Sequence, residues 1–364
     1  MKSPLDYFSE LEDPRVDRTK DHLLEDVIFI TIAAVICGAE TWNDIENYGN
    51  SKLEWLRQFL KLPNGIPSHD TFNRVFSAIE PQQLENCFVR WVDAVCDLTE
   101  GEVICIDGKT IRGSRDKGNK SIVHMVSAWA QTNHLSLGQI KVDSKSNEIT
   151  AIPRLLEVLA IHGCIVTIDA MGCQTEIAEK IIGKGADYIL AVKGNQGTLE
   201  QGINDTIRFC KPIDMYEESD FGHGRIETRI CSVYNDFSHI EKVDQWKNIK
   251  SIAKIDSIRF IKTSGIEETE TRLYISSMNP IAEKIGKGIR AHWGIENSLH
   301  WLLDVAFNED QSMKTNPIAV QNFSIINRIA LSLVAHEKTK KRSVKGKRLD
   351  AGWDNNYLLK ILKN

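Results

Sequence analysis

Val103-Ile104-Cys105-Ile106-Asp107-Gly108-Lys109 is a run of four apolar residues ending in a carboxylate, a glycine and a lysine. So short an apolar run closed by a turn signal reads as a buried strand. Downstream, Ile122 to Trp129 and Leu135 to Val142 read as two more strands, which makes a three-strand run of hairpins. A helix from about Glu148 to Ile161 leads to another buried strand, Ile165 to Ile168, which ends on Asp169. A helix from Gln174 to Ile182 then precedes a strand from Tyr188 to Val192, with Lys193-Gly194-Asn195-Gln196 at its end.

Three antiparallel strands followed by alternating helix and strand is the order of a ribonuclease-H-like α/β fold. Asp107 and Asp169 then sit where strands end, the usual place for chemistry in an open α/β sheet. From about 197 to 280 the rhythm is lost. A helix through Ile207 precedes short alternating segments: Glu227 to Val233, Ile249 to Ile255, Ile258 to Lys262 and Arg272 to Ser276. These read as a β-rich insertion within a catalytic domain spanning 101–337.

Residues 1–100 read as an all-α N-terminal domain. His22 to Cys37 is an apolar helix stopped by Gly38, and Pro63-Asn64-Gly65 marks a turn. Ser68 is placed to cap a helix carrying Phe72, Val75 and Phe76 inward, and Pro81 suits the first position of a helix running to about Val95. This pair invites a helix-turn-helix reading, as any helical hairpin does.

The late stretch His292 to Asp310, HWGIENSLHWLLDVAFNED, carries the third carboxylate. At about 100° per residue, Ile289, Trp293, Leu303 and Phe307 share an apolar stripe, with Glu296 and His300 in its middle and Asp304 at its edge. A core-facing helix normally excludes an unpaired carboxylate, so something should meet Glu296 there. Asp304 is placed as a partner for His300 one turn away, and Glu309 and Asp310 as residues satisfied by solvent past the helix end. A simple Glu296–His300 pair on a partly solvated face is the bland alternative. Ile318 to Ala335 reads as one more apolar-faced helix.

Asp107, Asp169 and Glu296 are hard oxygen donors. Three of them at one spot suit Mg²⁺ or Mn²⁺ rather than zinc. Two such ions about 4 Å apart can activate a water or a 3′-hydroxyl and stabilise the leaving oxygen of a phosphodiester. His292, Glu296 and His300, spaced along one helix, offer a competing zinc reading, but it leaves both strand-end aspartates without a role.

Bulk composition sets the frame. At 364 residues, with 42% hydrophobic and 26% charged residues, the chain can fold as two or three domains. No membrane span is expected, because the longest apolar run, Val27 to Ala39, is short and follows Glu25 and Asp26. The first residues lack a signal-peptide pattern, and the 8 cysteines form no CxxC pair, so a cytoplasmic location with reduced thiols is expected. A net charge of −5 hides a basic tail: residues 338–364 carry a local +7. That tail could track a phosphate backbone or be a solvated helix end.

The segments Asp107-Gly108-Lys109, Thr167 to Gln174, Ala191 to Gln196 and His292 to Asp310 closely resemble the DDE transposases of bacterial insertion sequences. The match is to the group that includes the H-repeat-associated proteins. Pro67 to Phe76 resembles the same group's helical N-terminal domain, and the resemblance runs on to Asn356-Tyr357-Leu358. It implies a metal-dependent DNA transposase with Asp107, Asp169 and Glu296 as catalytic triad. Its partners would be the terminal inverted repeats of its element and target DNA, bound as a homodimer. Related enzymes place a Tyr, an Arg and a Lys around the glutamate, where this chain has Ile289, His292 and Leu303. Arg290, His292, His300 and Lys193 are candidates to take over the phosphate grip, with Lys109, Gln196 and Asp304 as further contacts or supports. A catalytically silent DNA-binding relic, or a metal-dependent nuclease of the same fold, are the alternatives.

Overall fold

The computed structural model describes residues 4–363 except 17, 19, 97, 113–122, 144–146 and 223. Ile122, expected to open a strand, therefore lies outside the described residues. Helices come first: α1 (Pro4–Phe8), α2 (Leu24–Ile36), α3 (Trp42–Ser51), α4 (Leu53–Leu56), α5 (His69–Ala78) and α6 (Pro81–Val95). Thr41 caps α3 with a reciprocal bond to Asp44, Ser68 caps α5 through the Thr71 N–H, and Pro81 occupies the first turn of α6.

Strands β1 (Val103–Ile111), β2 (Val123–Ala130) and β3 (Leu135–Lys141) form antiparallel hairpins. Helix α7 (Glu148–Val158), β4 (Ile165–Ile168), α8 (Thr175–Gly183) and β5 (Asp187–Val192) follow, with β1, β4 and β5 parallel. After α9 (Gly197–Phe209) come β6 (Asp214–Gly222), β7 (Arg225–Tyr234), β8 (Ser251–Ile261) and β9 (Ile266–Ser276).

Among the described residues, all nine strands belong to one sheet, in the order β3-β2-β1-β4-β5-β9-β8-β7-β6. The segment expected as an insertion thus extends the sheet, since β9 pairs antiparallel with β5 from Ile189↔Ser276 to Val192↔Leu273. The expected segments Ile249 to Ile255 and Ile258 to Lys262 are one strand, β8, and β6 was not expected at all. Most of β6 is exposed, so it lacks the alternation that marks a half-buried strand.

The chain closes with α10 (Ala282–Gly294), a π-helical turn (Ile295–His300), α11 (Trp301–Val305), α12 (Pro317–His336), α13 (Val344–Trp353) and α14 (Asn355–Leu362). Helix α12 is long and apolar enough to cross a membrane by length and composition, but here it is mostly buried as the central core helix. It packs against α2, α5 and α6, while α6 also lies on β3. Glu85 of α6 is buried and accepts the Gln139 N–H of β3 at 2.7 Å. Much of the α6 surface is therefore committed to packing, leaving little of it for a DNA groove.

The N-terminal helices do not stand apart, because one apolar core runs from Phe8 and Ile30 through Ile106 and Leu190 to Ile329 and Leu358. Nor is the basic C-terminal segment a free arm. It folds as α13 and α14, and Arg348 is buried with its guanidinium donating to Val35 O at 2.7 and 3.2 Å. Lys347 is buried as well and donates to Val334 O at 3.2 Å.

Candidate active site

Residues paired in register point to the same side of a sheet, and side chains alternate along each strand. Cys105 and Asp107 of β1, Thr167 of β4, and Ile189 and Ala191 of β5 therefore share one face. Helix α10 lies across that face. A Cβ on Gly288 would stand 2.6 Å from Ile189 Cδ1, and one on Gly294 would stand 1.8 Å from Gln131 Oε1. The helix can sit this low only because both positions lack a side chain. Cys105 Sγ donates to Ala291 O at 3.3 Å, and Thr167 Oγ1 and His292 Nδ1 are 3.0 Å apart.

Beyond the end of α10 the strand ends open into a cavity of about 470 Å³ whose wall includes Asp107, Asp169, Lys193, Arg272, His292 and Glu296. Asp169 follows β4 and accepts the Met171 and Gly172 N–H groups at 3.1 and 3.4 Å, which fixes its carboxylate at the turn. The Asp107 carboxyl is pushed up to about 7, first by burial and then by repulsion from Asp169, Glu148 and Glu296. Asp169 is raised too, by burial and by Glu148, with Lys193 acting against them.

Glu296 reaches this cavity by a route the 100° wheel does not describe. The π turn from Ile295 to His300, in which Trp301 N–H bonds to Glu296 O, rotates residues less per step than an α-helix does. Ile289, Leu303 and Phe307 are buried as expected, but Glu296 is exposed at the cavity wall rather than central in the buried stripe.

The supporting residues also differ from expectation. His300 Nδ1 lies 3.5 Å from Asp107 Oδ2, and Asp304 pairs with Lys109 instead of His300. Lys109 is buried and also meets Glu309 Oε2 at 3.1 Å and Asp310 Oδ1 at 3.7 Å, so it is no free phosphate contact. Glu309 is not solvated but buried between Lys109 and Arg328. Gln196 donates to Cys173 O at 2.8 Å and holds the loop after β4. Arg290 is exposed and lines a neighbouring groove rather than the carboxylate cavity.

Burial pushes His292 down to about 4 and His300 to about 3, so both imidazoles are neutral at pH 7. Their Nδ1 atoms are engaged with Thr167 and Asp107 respectively.

Sequence reasoning missed Glu148, which sits at the start of α7 and pairs with His124 Nε2 at 2.6 Å. A Cβ on Gly108 would strike it at 2.1 Å, so the glycine after Asp107 makes room for a fourth carboxylate near the site. No local spacing signals it, because β1, β2 and α7 converge only in the fold.

The donor chemistry of Asp107, Asp169 and Glu296 fits a hard divalent cation, and their mutual repulsion is what such a cation would relieve. Among the described residues, however, no group of three His, Cys, Asp or Glu side chains is arranged to hold an ion as they stand.

The chain belongs to the DDE transposase family: it matches the Transposase DDE domain over residues 98–333 and the DDE_Tnp_1-associated region over residues 5–92. It is 43% identical to the protein named "Putative transposase YncI" of Escherichia coli O157:H7, over all of this chain and 95% of that one. It is 41% identical to "H repeat-associated putative transposase YhhI" of Escherichia coli K12, over all of this chain and 98% of that one. The solved piggyBac transposase synaptic complex with hairpin DNA covers all of this chain and 82% of its own, at 13% identity and a TM-score of 0.46. That likeness is too slight to bear on the site.

Proposed function

We propose that this chain is an insertion-sequence transposase that cuts and joins DNA at Asp107, Asp169 and Glu296. The strand order β3-β2-β1-β4-β5 supports reading this part as a ribonuclease-H-like core, with strands β6–β9 as its insertion. The observation that carries the reading is the meeting of all three carboxylates at one cavity, beside the middle of β1 and the end of β4. Asp107, Asp169 and Glu296 would hold two Mg²⁺ or Mn²⁺ ions, which supply an activated oxygen nucleophile and charge neutralisation at the phosphodiester.

The chain's own residues prepare that site. Backbone N–H groups orient Asp169, while neutral His292 braces α10 on Thr167 of β4. Neutral His300 stands at Asp107 without adding positive charge to compete for the carboxylate. The substrates on this reading are the terminal inverted repeats of the element and a target duplex, engaged by a pair of chains.

The test is cleavage of element-end DNA with Mg²⁺ or Mn²⁺. Asp107→Asn, Asp169→Asn and Glu296→Gln are each expected to abolish cleavage while leaving DNA binding nearly intact. Full cleavage in excess chelator, or in any of these variants, would overturn the reading.

A further inference from the structure

The face that carries Asp107 continues across the whole sheet. Register pairs Glu227 with Arg259, Arg259 with Glu268, Arg229 with Ser257, and Ser257 with Glu270. By strand alternation Arg225, Glu227 and Arg229 of β7 point the same way as Arg259 of β8 and Arg272 of β9. Helix α10 covers the apolar end of this face, packing Ile285 and Ile289 on Cys231 and Ile255. Past the helix the face turns polar, forming a groove of about 310 Å³ that shares Arg272, Trp293 and Glu296 with the carboxylate cavity.

The groove gathers arginine on a chain whose net charge is −5. Glu227 alone faces three guanidinium groups: Arg229 at 2.8 Å, Arg259 at 3.7 Å and Arg225 at 3.8 Å. Arg259 has a second carboxylate, Glu268, at 3.7 Å on the exposed rim. Even so, Arg259 Nε is buried without a hydrogen-bond partner, while Arg229 Nη2 has the Glu227 carboxylate beside it. A buried donor of this kind calls for a ligand or another explanation. Guanidinium forks match the oxygens of a phosphodiester.

We propose that this groove binds the phosphodiester backbone of an unpaired DNA strand leading away from Glu296, with Arg225, Arg229 and Arg259 as its phosphate contacts. The proposal rests on the reading of the carboxylates as a DNA-cleaving site. It also supplies the cationic grip that the residues around Glu296 do not. The Trp293 ring, with the Arg272 guanidinium 4.4 Å from its centroid, adds the aromatic surface that single-strand grooves combine with positive charge.

The test is fluorescence anisotropy of the full chain with fluorescein-labelled oligothymidine, titrated with KCl in chelator so that cleavage plays no part. The variants are Arg225→Ala/Arg259→Ala and Arg154→Ala as a control for net charge. Losing two phosphate contacts should weaken binding roughly tenfold at low salt and flatten the log–log salt slope by about 1.4, since each contact on a single strand contributes about 0.7. Arg154→Ala should bind like the wild type. If the double variant does not fold, Arg225→Gln, at a half-exposed position, carries the test with a slope change of about 0.7. An unchanged slope, an equal loss in Arg154→Ala, or a larger loss for duplex than for single strand would each overturn the proposal. A wild type that cleaves while the arginine variants bind normally refutes only the groove. A slope change in a wild type that never cleaves refutes only the catalytic reading.

Discussion

Lys109 Nζ lies 3.1 Å from Glu309 Oε2, joining the residue two positions past Asp107 to a carboxylate 200 residues further along the chain. Glu309 also meets Arg328 Nη1 at 3.3 Å, and Arg328 is fully buried. Without it Arg328 would lose its carboxylate partner, and Lys109 would be left with Asp304 and Asp310. Glu309→Gln should therefore destabilise the fold by about 3–5 kcal/mol, the range for breaking a buried pair by removing one partner. Thermal unfolding followed by circular dichroism checks this, and a loss under about 1 kcal/mol would place Glu309 in solvent after all.

The same residue gives a pH dependence. Burial alone would raise the Glu309 carboxyl, but Arg328 and Lys109 overrule it and hold it at about 2. A depressed carboxylate contributes stability that is complete above its ordinary value near 4.5 and is lost as pH falls toward 2. Wild-type stability should fall across that window more steeply than that of Glu309→Gln. Parallel acid titrations of the two proteins would contradict the assignment.

Asp304 shares Lys109 but is partly exposed, so solvent compensates its loss. Asp304→Asn should cost no more than about 1 kcal/mol, with Lys109 still held by Glu309. Urea unfolding of the two single variants measures the contrast. A larger loss for Asp304→Asn than for Glu309→Gln would invert this ranking.

Gly202 in α9 faces backbone: a Cβ there would stand 2.5 Å from His239 O and 3.1 Å from Ile240 Cα. Alanine normally stabilises a helix interior relative to glycine, yet here the clash cannot be relieved by turning a side chain. Gly202→Ala should lower stability by about 1–3 kcal/mol. A rise in melting temperature would show that the loop at His239 yields freely.

Truncation after Glu337 tests how α13 and α14 are used. Tyr357, Leu358 and Ile361 are buried in the common core, and Arg348 is bonded to Val35 of α2. Removal should uncover apolar surface on α2 and α12 and yield an aggregating or poorly cooperative protein. A soluble truncated chain with a sharp unfolding transition would mean that these helices are an appendage.

The sequence was informative where local chemistry decides structure. Val103 to Ile106, Ile165 to Ile168, the Ser68 cap and the Pro81 helix start all lie where their residue types place them. Asp169 after the end of β4 was legible for the same reason, but Asp107 lies in the middle of β1, which runs on through Gly108 and Lys109 to Ile111. Strand β6 was hidden because an exposed edge strand rich in Glu and Asp carries no apolar period. The exposure of Glu296 was hidden because a wheel assumes α geometry, and the π turn is not announced by composition. Glu309 was misplaced because the partners that make it a core residue, Lys109 and Arg328, come from β1 and α12.

The β5–β9 pairing has a consequence for how such a protein can be altered. Excising 197–280 as a cassette would remove β9 and leave the backbone donors and acceptors of Ile189 to Val192 on an open edge. That edge would lie against the loop from Lys193 to Gln196 and a strand's width from Asp169. Shortening is tolerable at a distal tip such as Ile261–Ile266, where a turn closes the β8–β9 hairpin far from the junction. Variation in length among chains built this way should therefore gather at such tips, like wear at the free end of a blade whose root is fixed.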